Sequence, residues 1–76
     1  MRINVRYFAQ LREQAGCSEE EIEVSEGTTV EQLHDALFPP PERLPVVLAV
    51  NQHYVPGAHL LNDGDEVAFI PPLGGG

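Results

Sequence analysis

The sequence predicts an α+β roll, with one main helix laid across a mixed sheet of four or five strands. Three observations carry this. Residues 1–7 and 21–24 alternate apolar and polar side chains with the period of a half-buried strand, and Glu66 to Ile70 follows a strong turn as a final strand. One segment, Thr29 to Leu37, combines a helix-start signal with helical spacing of its apolar residues. Gly, Asn, Asp and Pro clusters punctuate the segments between them.

In chain order, Ile3, Val5 and Tyr7 share one face of the first strand, opposite Arg2, Asn4 and Arg6; Phe8 falls on the polar side. Ala9 to Ala15 suits a short helix stopped at Gly16, a residue that tolerates the left-handed C-terminal cap. Glu21 to Val24 alternates again, and Ser25-Glu26-Gly27 reads as a turn, so the first two strands are expected to pair antiparallel. Thr29 with Gln32 three positions on forms a capping box. Val30, Leu33 and Leu37 then recur at helical spacing, with Ala36 beside them, before Pro39-Pro40-Pro41 ends the helix. Val46 to Val50 is a continuous apolar run, expected of a strand buried on both faces or nearly so. Asn51-Gln52 and Pro56-Gly57 frame a short strand at His53 to Val55, and Asn62-Asp63-Gly64-Asp65 turns the chain into the last strand, Glu66 to Ile70.

This order fits a β-grasp arrangement, in which the first and last strands lie side by side in the middle of the sheet. Periodicity puts Val67 and Phe69 with the core and Ala68 and Ile70 on the other face. Phe8 and Ile70 are therefore both expected to point outward, near one end of the sheet. Such an apolar spot suggests a docking surface, although small folds also expose large apolar residues without a partner.

Composition narrows the function. At 76 residues the chain forms one small domain, in which a deep catalytic cleft is not expected. Twelve Asp and Glu against four Arg and no Lys give a formal charge of −8, which repels a phosphate backbone and excludes nucleic acid as a direct partner. The same field attracts proteins with basic surfaces. No apolar run is long enough to span a bilayer and no signal-peptide core opens the chain, so it is read as soluble and cytoplasmic, with no membrane partner. With a single cysteine, Cys17, no internal disulfide forms.

The last six residues, Pro71-Pro72-Leu73-Gly74-Gly75-Gly76, divide the chain into a domain at 1–71 and a flexible tail at 72–76. Two prolines disfavour further strand pairing, and three glycines leave the end without side chains. Extended at ~3.3–3.6 Å per residue, Leu73 to Gly76 reaches roughly 13–14 Å, enough to enter another protein's active site. A frayed terminus is the competing account.

Other chemistry is set aside. His34, His53 and His59 have no paired spacing with each other or with Cys17, so no metal site is expected and the histidines are assigned to surface or turn positions. Glu19, Glu20 and Glu21 lie close after Cys17 in sequence and disfavour its thiolate. Ser18 and Ser25 lack an evident base, and no Gly-rich phosphate loop with a lysine is present, so the chain alone is expected to be non-catalytic.

The segments Tyr7-Phe8-Ala9-Gln10-Leu11-Arg12-Glu13, Ala49-Val50-Asn51-Gln52 and Leu61-Asn62-Asp63-Gly64-Asp65-Glu66-Val67-Ala68-Phe69-Ile70-Pro71-Pro72, with the closing Gly75-Gly76, resemble the small-subunit family of molybdopterin synthase. The likeness covers essentially the whole chain. It implies a ubiquitin-like β-grasp fold and a sulfur carrier with no bound cofactor. An ATP-dependent, E1-like adenylating enzyme would activate the Gly76 carboxylate, and a sulfur donor enzyme would convert it to a thiocarboxylate. A large subunit would then receive the tail, and the sulfur would pass to cyclic pyranopterin monophosphate in molybdenum cofactor biosynthesis. By the same resemblance Gly75 and Gly76 carry the chemistry, while Phe8, Tyr54 and Ile70, with Leu73 and Gly74 of the tail, contact the partner. Gly74 departs from the pattern, since relatives usually carry a small side chain there.

The residues leave alternatives open. The same fold and Gly-Gly end suit a sulfur carrier for thiamine, tRNA thiolation or cysteine synthesis, a ubiquitin-like modifier joined to partner lysines, or a plain binding module. Need for a helper enzyme follows from chemistry alone, because a terminal carboxyl with a pKa of about 3.3–3.7 is ionised at neutral pH and a poor electrophile.

Overall fold

Alternation in the N-terminal segment produces strand β1 (Arg2–Tyr7), whose inward residues Ile3, Val5 and Tyr7 are buried. The computed structural model describes residues 1–39 and 45–72. After β1 come a short helix α1 (Gln10–Ala15), strand β2 (Glu19–Glu23), the main helix α2 (Val30–Leu37), and strands β3 (Val47–Val50), β4 (His53–Tyr54) and β5 (Glu66–Ile70). The five strands form one sheet in the order β2-β1-β5-β3-β4. β1 and β5 run parallel, with Val5 opposite Val67 and Tyr7 opposite Phe69. The other neighbours are antiparallel, as expected for β1 and β2. This is the β-grasp roll.

Local signals explain the element ends. Gly16 adopts φ 80° and its N–H donates to the Arg12 carbonyl, closing α1 with the left-handed cap. The Thr29 hydroxyl accepts from the Gln32 N–H at 3.1 Å while the Gln32 side chain accepts from the Thr29 N–H at 2.9 Å, so the capping box is complete. α2 ends at Leu37 with Phe38 as its C-cap; Pro40 and Pro41 of the expected stop lie outside the described residues. Gly64, at φ 86°, takes the turn into β5.

One face of the sheet packs on α2 around Ile3, Val5, Val30, Leu33, Val67 and Phe69. Two expectations for α2 are corrected. Ala36 is exposed, because the stripe that meets the sheet runs through residues 30, 33, 34 and 37, and Ala36 lies roughly 100° around the helix from its centre. His34 is buried instead of sitting on the surface: its ring stacks on Phe69 at 5.3 Å and tilts against Phe38 at 6.0 Å. Phe38, just past the helix, meets Tyr7 edge-on at 5.7 Å and completes this aromatic end of the core.

The apolar run at 46–50 forms a strand only from Val47. β3 lies between β5 and β4, and its alternation is masked because both of its faces carry apolar residues. Val50 is opposite Val67 on the core side, whereas Ala49 is opposite Ala68 on the outer face.

Candidate functional site

Among the described residues no helix covers the outer face of the sheet, and the residues of that face follow from the register. Glu66, Ala68 and Ile70 alternate outward along β5, with Val67 and Phe69 fully buried behind them. Arg6 lies opposite Ala68 on one side; Ala49 lies opposite Ala68 on the other, and Tyr54 opposite Ala49. Phe8 follows β1 where β1 and β5 both end. The result is a cleft of about 320 Å³ whose floor is the two alanines. Phe8 and Ile70 bound it at the end where the chain leaves β5, and Gln52 and Glu66 bound the other end. Sequence periodicity placed Phe8 and Ile70 outward; the structure brings both into one cleft with Tyr54.

Two of these walls are large and exposed, Phe8 at 37% and Tyr54 at 77% of their surface. Ile70 is half-buried. The Arg6 guanidinium stands over the Phe8 ring at 5.5 Å, while its Nε lies 3.9 Å from the Glu19 carboxylate. The neighbouring Arg2 contacts Glu21 and Glu23 at 3.6 Å each. These pairs are exposed and contribute little to stability, but they leave the β1–β2 side of the face lined with carboxylates.

Backbone geometry around the cleft is unusual. Among the described residues the non-glycine positions with positive φ are Ala9 at 52°, Asn51 at 50° and Gln52 at 70°. Ala9 directly follows Phe8, and the Asn51-Gln52 turn joins β3 to the Tyr54 strand. Asn51 is anchored: its side-chain amide donates to Asp65 at 2.9 Å and its side-chain oxygen accepts from the Glu66 N–H at 3.0 Å. Asp65, itself buried, also accepts from the Asn62 N–H at 2.8 Å.

Of the tail positions, Leu73, Gly74, Gly75 and Gly76 lie outside the described residues; Pro71 and Pro72 carry the chain out beside Ile70. Among the described residues no three His, Cys, Asp or Glu side chains converge as metal ligands, and no helix is long and apolar enough to cross a membrane. The Cys17 thiol is half-buried, 3.8 Å from Glu20 and 3.9 Å from the Ala15 carbonyl. Burial first, and then Glu20, push that thiol up from its ordinary pKa, which opposes nucleophilic use.

Sequence periodicity set Ala68 outward with Ile70, and Arg6 on the polar side with Phe8, without naming either as part of a site; Ala49, Gln52 and Glu66 were not singled out. The signal was present for Glu66, which the period-2 rule that placed Ala68 and Ile70 outward also places there. Ala49 and Gln52 depend on the β3–β5 register, which no local pattern gives.

The sequence pattern of the ThiS family matches residues 5–76. The chain belongs to the ThiS family. Among ThiS-like relatives, the molybdopterin synthase sulfur carrier subunit of Mycobacterium tuberculosis is 45% identical over 84 residues, spanning 100% of this chain and 99% of that protein. A putative molybdopterin converting factor, subunit 1, from Pyrococcus furiosus superposes with a TM-score of 0.86 at 35% identity, covering 96% of this chain and 99% of that one. The small archaeal modifier protein 1 of H. volcanii superposes with a TM-score of 0.81 at 25% identity, covering 95% and 98%. This ThiS-family chain therefore shares 95% or more of its length with proteins named as a sulfur carrier and as a protein modifier.

Proposed function

We propose that the chain is the sulfur carrier subunit of a molybdopterin synthase, acting in the cytoplasm. An ATP-dependent adenylating enzyme couples AMP to the Gly76 carboxylate; a sulfur nucleophile delivered by a donor enzyme attacks the acyl carbon and expels AMP. The resulting thiocarboxylate enters a large subunit and gives its sulfur to cyclic pyranopterin monophosphate. ATP is consumed by the activating enzyme, and the chain itself binds no cofactor.

One observation carries this reading: the apolar cleft bounded by Phe8, Ile70 and Tyr54 opens where Pro71 and Pro72 lead toward Gly75-Gly76. Ordering the tail in a partner's channel costs roughly 1–2 kcal/mol per residue, and a side-chain-free tail offers few contacts to offset it. Docking on the adjacent face supplies them. The full-length likeness to the M. tuberculosis carrier supports the choice of acceptor.

Likeness to the archaeal modifier favours a second reading, in which the same activated Gly76 forms an isopeptide with a partner's lysine. Both begin with adenylation and differ in the nucleophile.

The test is mass measurement of the chain after incubation with ATP, activating enzyme and sulfur donor. Wild type should gain about 16 Da, oxygen replaced by sulfur in a carboxyl that is otherwise ionised and inert. Deleting Gly76 withdraws the acyl carbon by roughly 3.5 Å, and adding a residue after it presents the wrong carboxyl; both should block loading. Equal loading of all three chains overturns the carrier reading. Covalent attachment to lysines with no sulfur gain selects the modifier.

A further inference from the structure

The docking face is not uniformly apolar, and its asymmetry bears on what fits it. The cleft floor is a pair of alanines, Ala68 and Ala49, directly opposite each other in the β3–β5 register. Each neighbour across the sheet is large: Arg6 opposite Ala68 and Tyr54 opposite Ala49. Two adjacent methyl-sized residues between a guanidinium and a phenol ring leave a narrow trough that runs along the strands. At its tail-side end stand Phe8 and Ile70. At the other end stands Glu66, whose backbone is fixed by two hydrogen bonds to Asn51, from the Asn51 N–H at 2.8 Å and to the Asn51 side-chain oxygen at 3.0 Å.

Charge distinguishes the two ends. Arg6 is drawn toward Glu19 and Phe8, on the β1 side of the trough. Among the described residues Glu66 makes no ion pair. A side chain entering over Phe8 and Ile70 thus meets methyl groups between the Tyr54 ring and Arg6, whose charge is engaged by Glu19 and the Phe8 ring, and then a carboxylate and the Gln52 amide. A long aliphatic stem ending in a cation matches that sequence of surfaces: the stem is packed, and the cation reaches both a carboxylate and an aromatic wall. A chain of net charge −8 also presents a field that draws such a group in.

We propose that the Ala49–Ala68 trough is a socket for one lysine or arginine side chain projecting from the otherwise apolar docking surface of the partner. The socket deepens the carrier reading above and rests on it: the partner is the large subunit, and the socket is the charged element that sets register beside the apolar contacts of Phe8, Ile70 and Tyr54. Desolvated charge pairs at the centre of an interface discriminate among partners more than they add affinity, so the socket selects the partner's position.

The test is a calorimetric titration of the large subunit from the same cell with five chains: wild type, Phe8→Asp, Glu66→Gln, Ala68→Leu and Ala68→Ser. Thermal melts of each free chain establish that it is folded, and Ala68→Ser serves as a small-residue control for the floor. The proposal expects Glu66→Gln to bind about tenfold or more weakly, and to lose part of the salt dependence that wild type shows between about 0.05 and 0.5 M salt. It expects Ala68→Leu to weaken binding by a similar factor or more through filling the trough, with Ala68→Ser near wild type. If Phe8→Asp weakens binding while Glu66→Gln and Ala68→Leu do not, the socket is overturned and the docking face stands. If Ala68→Leu alone of these two weakens it, the occupant is apolar and the basic side chain is overturned. If wild type does not bind, or Phe8→Asp binds normally, the docking reading fails and the socket with it.

Discussion

The Tyr7 hydroxyl donates to the Glu20 carboxylate at 2.7 Å, joining the aromatic end of the core to the edge strand β2. Tyr7 is only 3% exposed, and burial, followed by the hydrogen bond and charge of Glu20, pushes its phenol above the ordinary value of 10. A phenol raised in the folded state favours the neutral form there. Its contribution to stability is complete below pH about 10 and is lost as pH rises toward the folded value. Tyr7→Phe should therefore cost about 1 kcal/mol, or roughly 4–8 °C in Tm, at neutral pH. The gap between the two proteins should shrink above pH about 10, because only wild type must ionise a buried phenol. Melts at neutral and alkaline pH check this; a gap independent of pH contradicts the assignment.

Glu20 also faces Cys17, whose thiol is held in the neutral form first by partial burial and then by Glu20. Alkylation of Cys17 at neutral pH should be slower than that of a free cysteine peptide, and Glu20→Gln should accelerate it, since the thiolate is the reacting species. Timed iodoacetamide labelling followed by mass measurement reads both rates. A Cys17 that labels as fast as the peptide would show that neither burial nor Glu20 protects it.

The fold was legible because its signals are local: the Thr29–Gln32 capping box, Gly16 and Gly64 at positive φ, clean alternation in β1, and the Asn62-Asp63-Gly64-Asp65 turn before β5. Placing Phe8 and Ile70 outward needed nothing more than that alternation. What was hidden depends on distant partners. His34 reads as polar, yet it completes a ring cluster with Phe69 and Phe38, which only the packing of α2 on the sheet assembles. Ala49 reads as core, and it is buried, but on the outer face, because the strand register sets it between Ala68 and Tyr54.

Ala9 occupies φ 52° and ψ −131°, a conformation that a side chain rarely takes, and the turn it makes is closed by the Leu11 N–H donating to the Phe8 carbonyl at 3.1 Å. Glycine fits that conformation without strain. Ala9→Gly should therefore leave stability unchanged or raise it by up to about 1 kcal/mol, the relief of strain offsetting the added freedom of the unfolded chain. Urea unfolding decides the point. A loss of about 1 kcal/mol, the usual result of placing glycine in an ordered segment, would sink the strain account.

The docking assignment makes its sharpest demand on Phe8 and Ile70, because the same substitution should have opposite consequences on the two faces of one strand. Ile70→Asp and Phe8→Asp place a carboxylate on the open outer face, where water solvates it in the free chain, so each variant should melt within a few degrees of wild type. Val67→Asp or Phe69→Asp places the charge among fully buried core residues and should unfold the domain, since an unpaired buried carboxylate costs more than a small domain's margin of stability. On docking, however, the outer-face carboxylates are buried against an apolar partner surface and become costly in their turn, which should weaken binding of the large subunit at least about tenfold for each. Circular dichroism melts separate the two faces, and titration against the large subunit reads the binding loss. Normal affinity for both Phe8→Asp and Ile70→Asp would remove the outer face from the partner interface, whereas unfolding of either would mean that its side chain supports the core.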